Sequence, residues 1–190
     1  MDAETKLIPS YAVGKRNREN TYAFLSDLRD RMDAAHRFQI TTDGFVFYRN
    51  GVEEIFAGQA DFAQMIKLYG DYGQHDAAGR YSPAPMIETI VKIRDGRPDP
   101  RHISTSFVER QNLTIRMAIR RFTRLTNAFS KKLDNHKAAC ALHFAYYNFC
   151  RIHKSIRVTP AIEVGLTDHI WTLRELMSQN CTYARAVNNG

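Results

Sequence analysis

Between Asn17 and Thr42 the hydrophobic period of the chain changes from helical to extended, and that change constrains the fold class. Asn17 is a good helix N-cap, because its side-chain oxygen can accept from a backbone amide in the first turn. Tyr22, Leu25, Leu28 and Met32 follow at helical spacing, with Arg18, Asp27, Asp30 and Arg31 available for the wet side. Phe38–Thr42 then reads as a buried strand that ends in Asp43-Gly44. A one-faced helix beside such a strand buries its stripe against a sheet, which points to an α/β layer architecture.

The rest of the chain extends this reading. Leu7–Val13 is apolar enough for a strand, with Pro9 near an edge or bulge because it lacks a ladder donor. Phe45, Val46, Phe47 and Tyr48 continue apolar beyond Gly44. Ala60–Tyr69 is predicted as a short helix with Phe62, Met65, Ile66 and Tyr69 on one stripe. Residues 70–102 read as a loop-rich insertion, punctuated by glycine and proline, in which only Met86–Ile93 is predicted as a strand. Its Asp71, Asp76, Asp95 and Asp99 read as turn residues.

From Ser106 the pattern is mostly helical. Phe107–Phe129 carries Ile115, Ile119, Phe122 and Leu125 on an inner stripe, and a second helix runs from Asp134 to about Arg151. Thr159-Pro160 is a helix entry, a capping hydroxyl followed by proline at the first helical position. Thr172-x-x-Glu175 matches a capping box. The chain is expected to form one domain over residues 1–176, with 177–190 as a tail.

Length and charge bound the function. The chain has 190 residues, 44% of them hydrophobic, which suits one domain with a sizeable core. Its net charge of +7 favours polyanionic partners, DNA or RNA first. No apolar run approaches the roughly 20 residues of a membrane-spanning helix. Asp2, Glu4 and Lys6 interrupt any apolar leader. A cytoplasmic protein is expected, nucleoid-associated when bound to bacterial DNA. The three cysteines, Cys140, Cys150 and Cys181, give no even disulfide framework. Cys140/His143 and Cys150/His153 are two C-x-x-H pairs. On one helix Cys140 and His153 would stand about 20 Å apart, too far to share a zinc ion, so reduced cysteines are the better reading.

Three acids stand out, each with a plain alternative. Asp43 ends an apolar strand, where a carboxylate can face a ligand, although Asp-Gly is also a common turn pair. Glu109 follows Thr105-Ser106-Phe107-Val108, and Arg116 lies seven residues on, about two helical turns along the same face. Ser106-x-x-Glu109 also fits a capping box. Asp2 lies in an acidic opening segment, and a frayed terminus is its default. Together three such carboxylates can hold divalent metal ions against a phosphodiester. Arg116, Arg120, Arg121 and Arg124, interleaved with Asn112, Thr114, Thr123 and Asn127, offer phosphate contacts. So do Arg151, His153 and Lys154 in Tyr146-Tyr147-Asn148-Phe149-Cys150-Arg151-Ile152-His153-Lys154-Ser155. A solvated arginine face and an aromatic core stripe are the alternatives.

Asp2-Ala3-Glu4-Thr5-Lys6-Leu7, Thr41-Thr42-Asp43-Gly44, the block His102 to Asn112, and the run Tyr146–Ser155 through Thr159-Pro160-Ala161 resemble one known family. They are similar to the catalytic domain of bacterial insertion-sequence transposases of the DDE type, in the retroviral-integrase-like superfamily. The resemblance runs from residue 2 to about residue 176. It implies an RNase H-like fold, a mixed five-stranded sheet flanked by helices, with a helical C-terminal part. It implies a metal-binding catalytic triad of Asp2, Asp43 and Glu109, with Arg116 at a basic position of the family. It further implies two Mg²⁺ ions, or Mn²⁺ as substitute, and DNA strand cleavage and transfer on element ends and target DNA by a homo-oligomer. The alternatives are a catalytically inactive DNA-binding remnant and a related metal-dependent nuclease. The family has a strand leading into the first acid and a DNA-binding region before it, so the sequence reads as N-terminally truncated, with its first strand cut short.

Overall fold

A computed structural model describes residues 1–70, 85–123, 127 and 130–178. The chain divides into two compact units, one formed by residues 14–106 and the other by residues 1–13 with 107–190. Both helices and strands are present, so the coarse class is α/β.

The first of these units, residues 14–106, is a three-stranded mixed sheet with two helices packed together. Helix α1 spans Arg18–Asp30, and its N-cap Asn17 accepts from the Asn20 amide as its side-chain chemistry predicts. Met32 falls beyond its end. Strand β1, Phe38–Thr42, has the predicted bounds. The apolar run after Gly44 opens helix α2, Val46–Phe56. Tyr48, Val52, Ile55 and Phe56 are spaced as one helical stripe and meet α1 in the core. At Gly51 a Cβ would stand 2.7 Å from Leu25 Cδ1, so this glycine lets α2 approach α1 closely. Ala57 and Gly58, with φ of 44° and 79°, end the helix in two left-handed steps.

Ala60–Tyr69 is strand β2, not the predicted helix. It pairs in parallel with β1, Phe38 opposite Ala60, and antiparallel with β3, Met86–Asp95. A central strand is covered on both faces at its start, where Ala60, Phe62, Ala63 and Gln64 are all buried. Burial on both faces erases the alternation that marks a half-exposed strand, and the remaining spacing imitated a helical stripe. Leu25, Val52, Phe56, Ala60 and Phe62 form the core, lined by Phe24, Leu28, Phe38, Ile40, Tyr48 and Ile55. Asp99 caps a short 3₁₀ turn at Pro100–His102 by accepting from the Arg101 amide, as a turn residue should. Asp95 is not a turn residue but the last residue of β3, opposite Phe62, and Asp71 and Asp76 lie outside the described residues.

The other unit gathers both ends of the chain. Helix α3 spans Ser106–Ala118 and helix α4 Leu133–Phe149. The helix expected to run on to Phe129 stops at Ala118. Ile119 is extended (φ −115°, ψ 105°), and a 3₁₀ turn follows at Arg120–Phe122. The predicted strand Leu7–Val13 forms no ladder. Instead the Asn148 side chain serves as its partner, accepting from the Ile8 amide at 3.1 Å and donating to the Ile8 carbonyl at 2.9 Å. Tyr11 stacks on Phe144, so the opening segment runs along α4. Thr159 caps the short helix α5, Pro160–Glu163. Thr172 and Glu175 make the reciprocal bonds of a capping box before the helical residues 173–178. Among the described residues, no helix is long and apolar enough to cross a membrane.

Candidate functional site

Asp43 stands where β1 ends, and local bonding orients it. Its Oδ1 accepts from the Phe45 amide at 3.1 Å, and its Oδ2 pairs with Arg16 at 2.6 Å. The Arg16 guanidinium lies 4.2 Å over the Phe45 ring. About half of the Asp43 side chain remains exposed, 51%. Gly44 leaves less room than its lack of a side chain suggests. A Cβ there would meet Ile66 Cγ1 at 2.9 Å, so the glycine serves packing.

A residue that sequence reasoning missed supports this turn. Gln64, on β2, is 2% exposed, and its Nε2 donates to the Asp43 carbonyl at 3.0 Å and, at 3.5 Å, to that of Phe45. Its Oε1 accepts from Arg94 Nε at 2.9 Å. An amide has both a donor and an acceptor end, and here both are satisfied. The signal available in the sequence was a polar amide in the middle of the apolar run Ala60–Tyr69.

Asp2 and Glu109 belong to the other unit. Asp2 is not a frayed end: its Oδ2 accepts from the Thr5 amide at 2.8 Å and from the Thr5 hydroxyl, and its amide donates to Leu7 O at 2.8 Å. Burial opposes its charge, but the bonds from Thr5 and from the Glu4 and Ala3 amides outweigh that and hold its carboxyl below the usual range. Glu109 is exposed in the first turn of α3, and the exposed Arg116 follows two turns along the same helix. The amide of Ser106 donates to Ser104 Oγ at 3.1 Å. Within either unit, the described residues form no group of three or more His, Cys, Asp or Glu side chains able to hold a metal ion.

The basic residues do not form one helical face. Asn112 and Arg116 are exposed on α3. Arg120 and Arg121 fall on the 3₁₀ turn, and Arg124 lies outside the described residues. Arg121 ties that turn to the start of α4, donating to Ser130 Oγ at 2.6 Å and to Asn135 O at 3.2 Å. Arg151 and Lys154 are exposed after α4.

His153 lies beside Tyr147, ring centroids 6.3 Å apart. Burial, then the charges of Lys6, Arg151 and Arg110, holds its imidazole below the ordinary value. Lys6 and Arg110 were not singled out in the sequence, where about 100 residues separate them. Lys6 has φ 63° and its ammonium stands 4.2 Å over the Phe107 ring. A left-handed non-glycine costs on the order of 1 kcal/mol and persists only where its surroundings impose it.

Among the described residues the C-x-x-H pairs form no group of three or more His, Cys, Asp or Glu side chains. Cys140 and His143 are buried on α4, Cys150 caps that helix, and His153 Nδ1 is engaged by Ser155. Comparison with protein-family models, curated proteins and solved structures returned no match.

Proposed function

We propose that this chain carries the catalytic core of a DDE-type DNA transposase with an RNase H-like fold, and that Asp2, Asp43 and Glu109 are its metal ligands. The observation that carries the reading is the place of Asp43. It stands exposed at the carboxyl end of β1, which pairs in parallel with β2, and ligands of open α/β sheets bind outside the carboxyl ends of such strands. Hydrogen bonds from Phe45 and Arg16, with the Gln64 brace behind, fix its direction.

The donor chemistry agrees with the implied metal. Carboxylate oxygens are hard ligands that suit Mg²⁺ or Mn²⁺, and the bonds to Asp2 favour the ionised form that a metal requires. Two such ions, when bound, activate a water or a DNA 3′-hydroxyl and stabilise the leaving oxygen. The chain's own part is to aim the carboxylates and to hold the DNA backbone. Asn112, Arg116, Arg120, Arg151 and Lys154 are exposed for that task, and the net charge of +7 favours it.

The test is nicking and joining of duplex DNA carrying the element ends, with Mg²⁺ or Mn²⁺ and in EDTA. Metal-dependent nicking that is lost in Asp43→Asn and in Glu109→Gln supports the reading. Nicking that survives either substitution sinks the triad. Salt-sensitive DNA binding without any nicking favours the DNA-binding remnant, and nicking without joining favours a nuclease.

A further inference from the structure

The loop after α4 is built around His153. Its amide donates to Val158 O at 2.9 Å, and its carbonyl accepts from Arg157 N at 2.8 Å, with Arg157 at φ 63°. Ser155 meets the ring at Nδ1, its hydroxyl at 2.9 Å and its amide at 3.4 Å. A backbone amide can only donate, so Nδ1 is the acceptor of the neutral ring and the proton sits on Nε2. That N–H has no hydrogen-bond partner among the described residues.

Cations from three segments reach this ring with their charge. Lys6 comes from the opening segment, Arg110 from α3 and Arg151 from just beyond α4, and all three act on the ring. Independent contacts agree with this gathering. Lys6 lies over Phe107, one turn before Arg110 on the same helix. Asn148 pins Ile8 to the end of α4. Tyr147 packs edge-on against His153. Among the described residues no carboxylate forms an ion pair with Lys6, Arg110 or Arg151. Like charges held together without a counter-ion repel, and an anionic ligand relieves that repulsion.

We infer that Lys6, Arg110, Arg151 and His153 form a binding site for one phosphate of a nucleic-acid backbone, with His153 Nε2–H as hydrogen-bond donor and the three cations as its clamp. This deepens the DNA reading and rests on it for the identity of the ligand. It adds Lys6 and Arg110 to the contact set and gives His153 a defined tautomer. Because bound phosphate offsets the cations, the imidazole becomes easier to protonate, and binding carries proton uptake with it.

The probe is the histidine ring of the full chain, titrated by NMR in EDTA with inorganic phosphate and then with a short DNA duplex. NaCl holds the ionic strength constant. Saturation with either ligand raises the midpoint of the His153 titration by about one pH unit, equivalent to roughly tenfold tighter binding to the protonated ring. Lys6→Gln and Arg110→Gln each weaken phosphate binding several-fold and raise the ligand-free midpoint, while Arg110→Lys retains most of the effect. In DNA binding each charge removal lowers the salt slope by about one.

A shift no larger than NaCl alone produces overturns the site. So does phosphate binding that the two glutamine variants leave unchanged, or a response to phosphate with none to DNA. If the duplex moves His153 but Mg²⁺ supports no nicking, this site stands and the strand-cleavage reading falls. If the chain nicks DNA while His153 ignores the duplex, the catalytic reading stands and this site falls.

Discussion

Replacing Asn148 by alanine should release the opening segment without unfolding the helices. The Asn148 amide makes two bonds to one residue, accepting from Ile8 N and donating to Ile8 O, and Ile8 is 7% exposed. Each such bond contributes about 0.5–1.5 kcal/mol net. Loss of both costs roughly 2 kcal/mol, about a thirtyfold change in a local opening equilibrium. Nothing else in α4 depends on these atoms, so most of the loss should be local. Amide hydrogen exchange is the assay: Ile8 N–H is protected in the parent and loses about thirtyfold protection in Asn148→Ala. Amides in the middle of α4 should change little. Asn148→Asp gives an internal check. Its carboxylate still accepts from Ile8 N but has nothing to donate to Ile8 O, so protection should recover in part as the acid becomes protonated. An Ile8 amide that exchanges freely in the parent, or equally in parent and alanine variant, would refute the reasoning.

Other substitutions test the core, a cap and the pH response. Phe62→Ala removes a side chain with no exposure from the centre of the sheet and should cost about 3–5 kcal/mol in urea unfolding; a loss under 1 kcal/mol would show that this core is loosely packed. Thr159 is fully buried and its Oγ1 accepts from Ile162 N at 3.3 Å, so Thr159→Ala should lower stability by about 1 kcal/mol, with Thr159→Ser restoring most of it. Burial, and then the charge of Arg151, hold His143 below the ordinary imidazole value. The unfolded chain therefore binds the proton first, and stability should fall as pH drops through about 6.5 toward the lower native value. His143→Phe should flatten that fall in urea midpoints measured between pH 8 and 5, and an unchanged slope would count against it.

The elements legible in the sequence are those whose cause is local. Asn17, Thr159 and the Thr172/Glu175 pair cap their helices because a cap needs only neighbours within one turn. β1 was readable because five residues between turn signals carry its pattern. β2 was misread because its identity comes from strands on either side, and β3 is more than 15 residues away in sequence. The helical stripe of α2 is present, but the unbroken apolar run Phe45–Tyr48 masks its period. Leu7–Val13 looked like a strand because its partner is a side chain 140 residues distant. At the site, Asp43 was visible as an acid ending an apolar strand, whereas Asp2 and Glu109 lie among polar neighbours and stood out only through the family resemblance. The Gln64 brace and the cations around His153 were not visible, since no periodicity relates residues 6, 110, 151 and 153.

The division of the chain also sets an order of assembly. Residues 14–106 make one unit from a continuous stretch, whereas the other joins 1–13 to 107–190. During synthesis the continuous unit is finished once its own residues have emerged, while Ile8 waits for Asn148, a closure across 140 residues. At about 5–20 residues per second that wait lasts several seconds or more. Asp2 and Lys6 are therefore presented late, after the β1–β2 pair and Asp43 are in place. Nascent chains stalled once residue 106 has left the ribosome should protect the amides of β2 but not that of Ile8; protection of Ile8 in them would reverse the order. A chain built this way withholds two of its charged groups until Asn148 has been made.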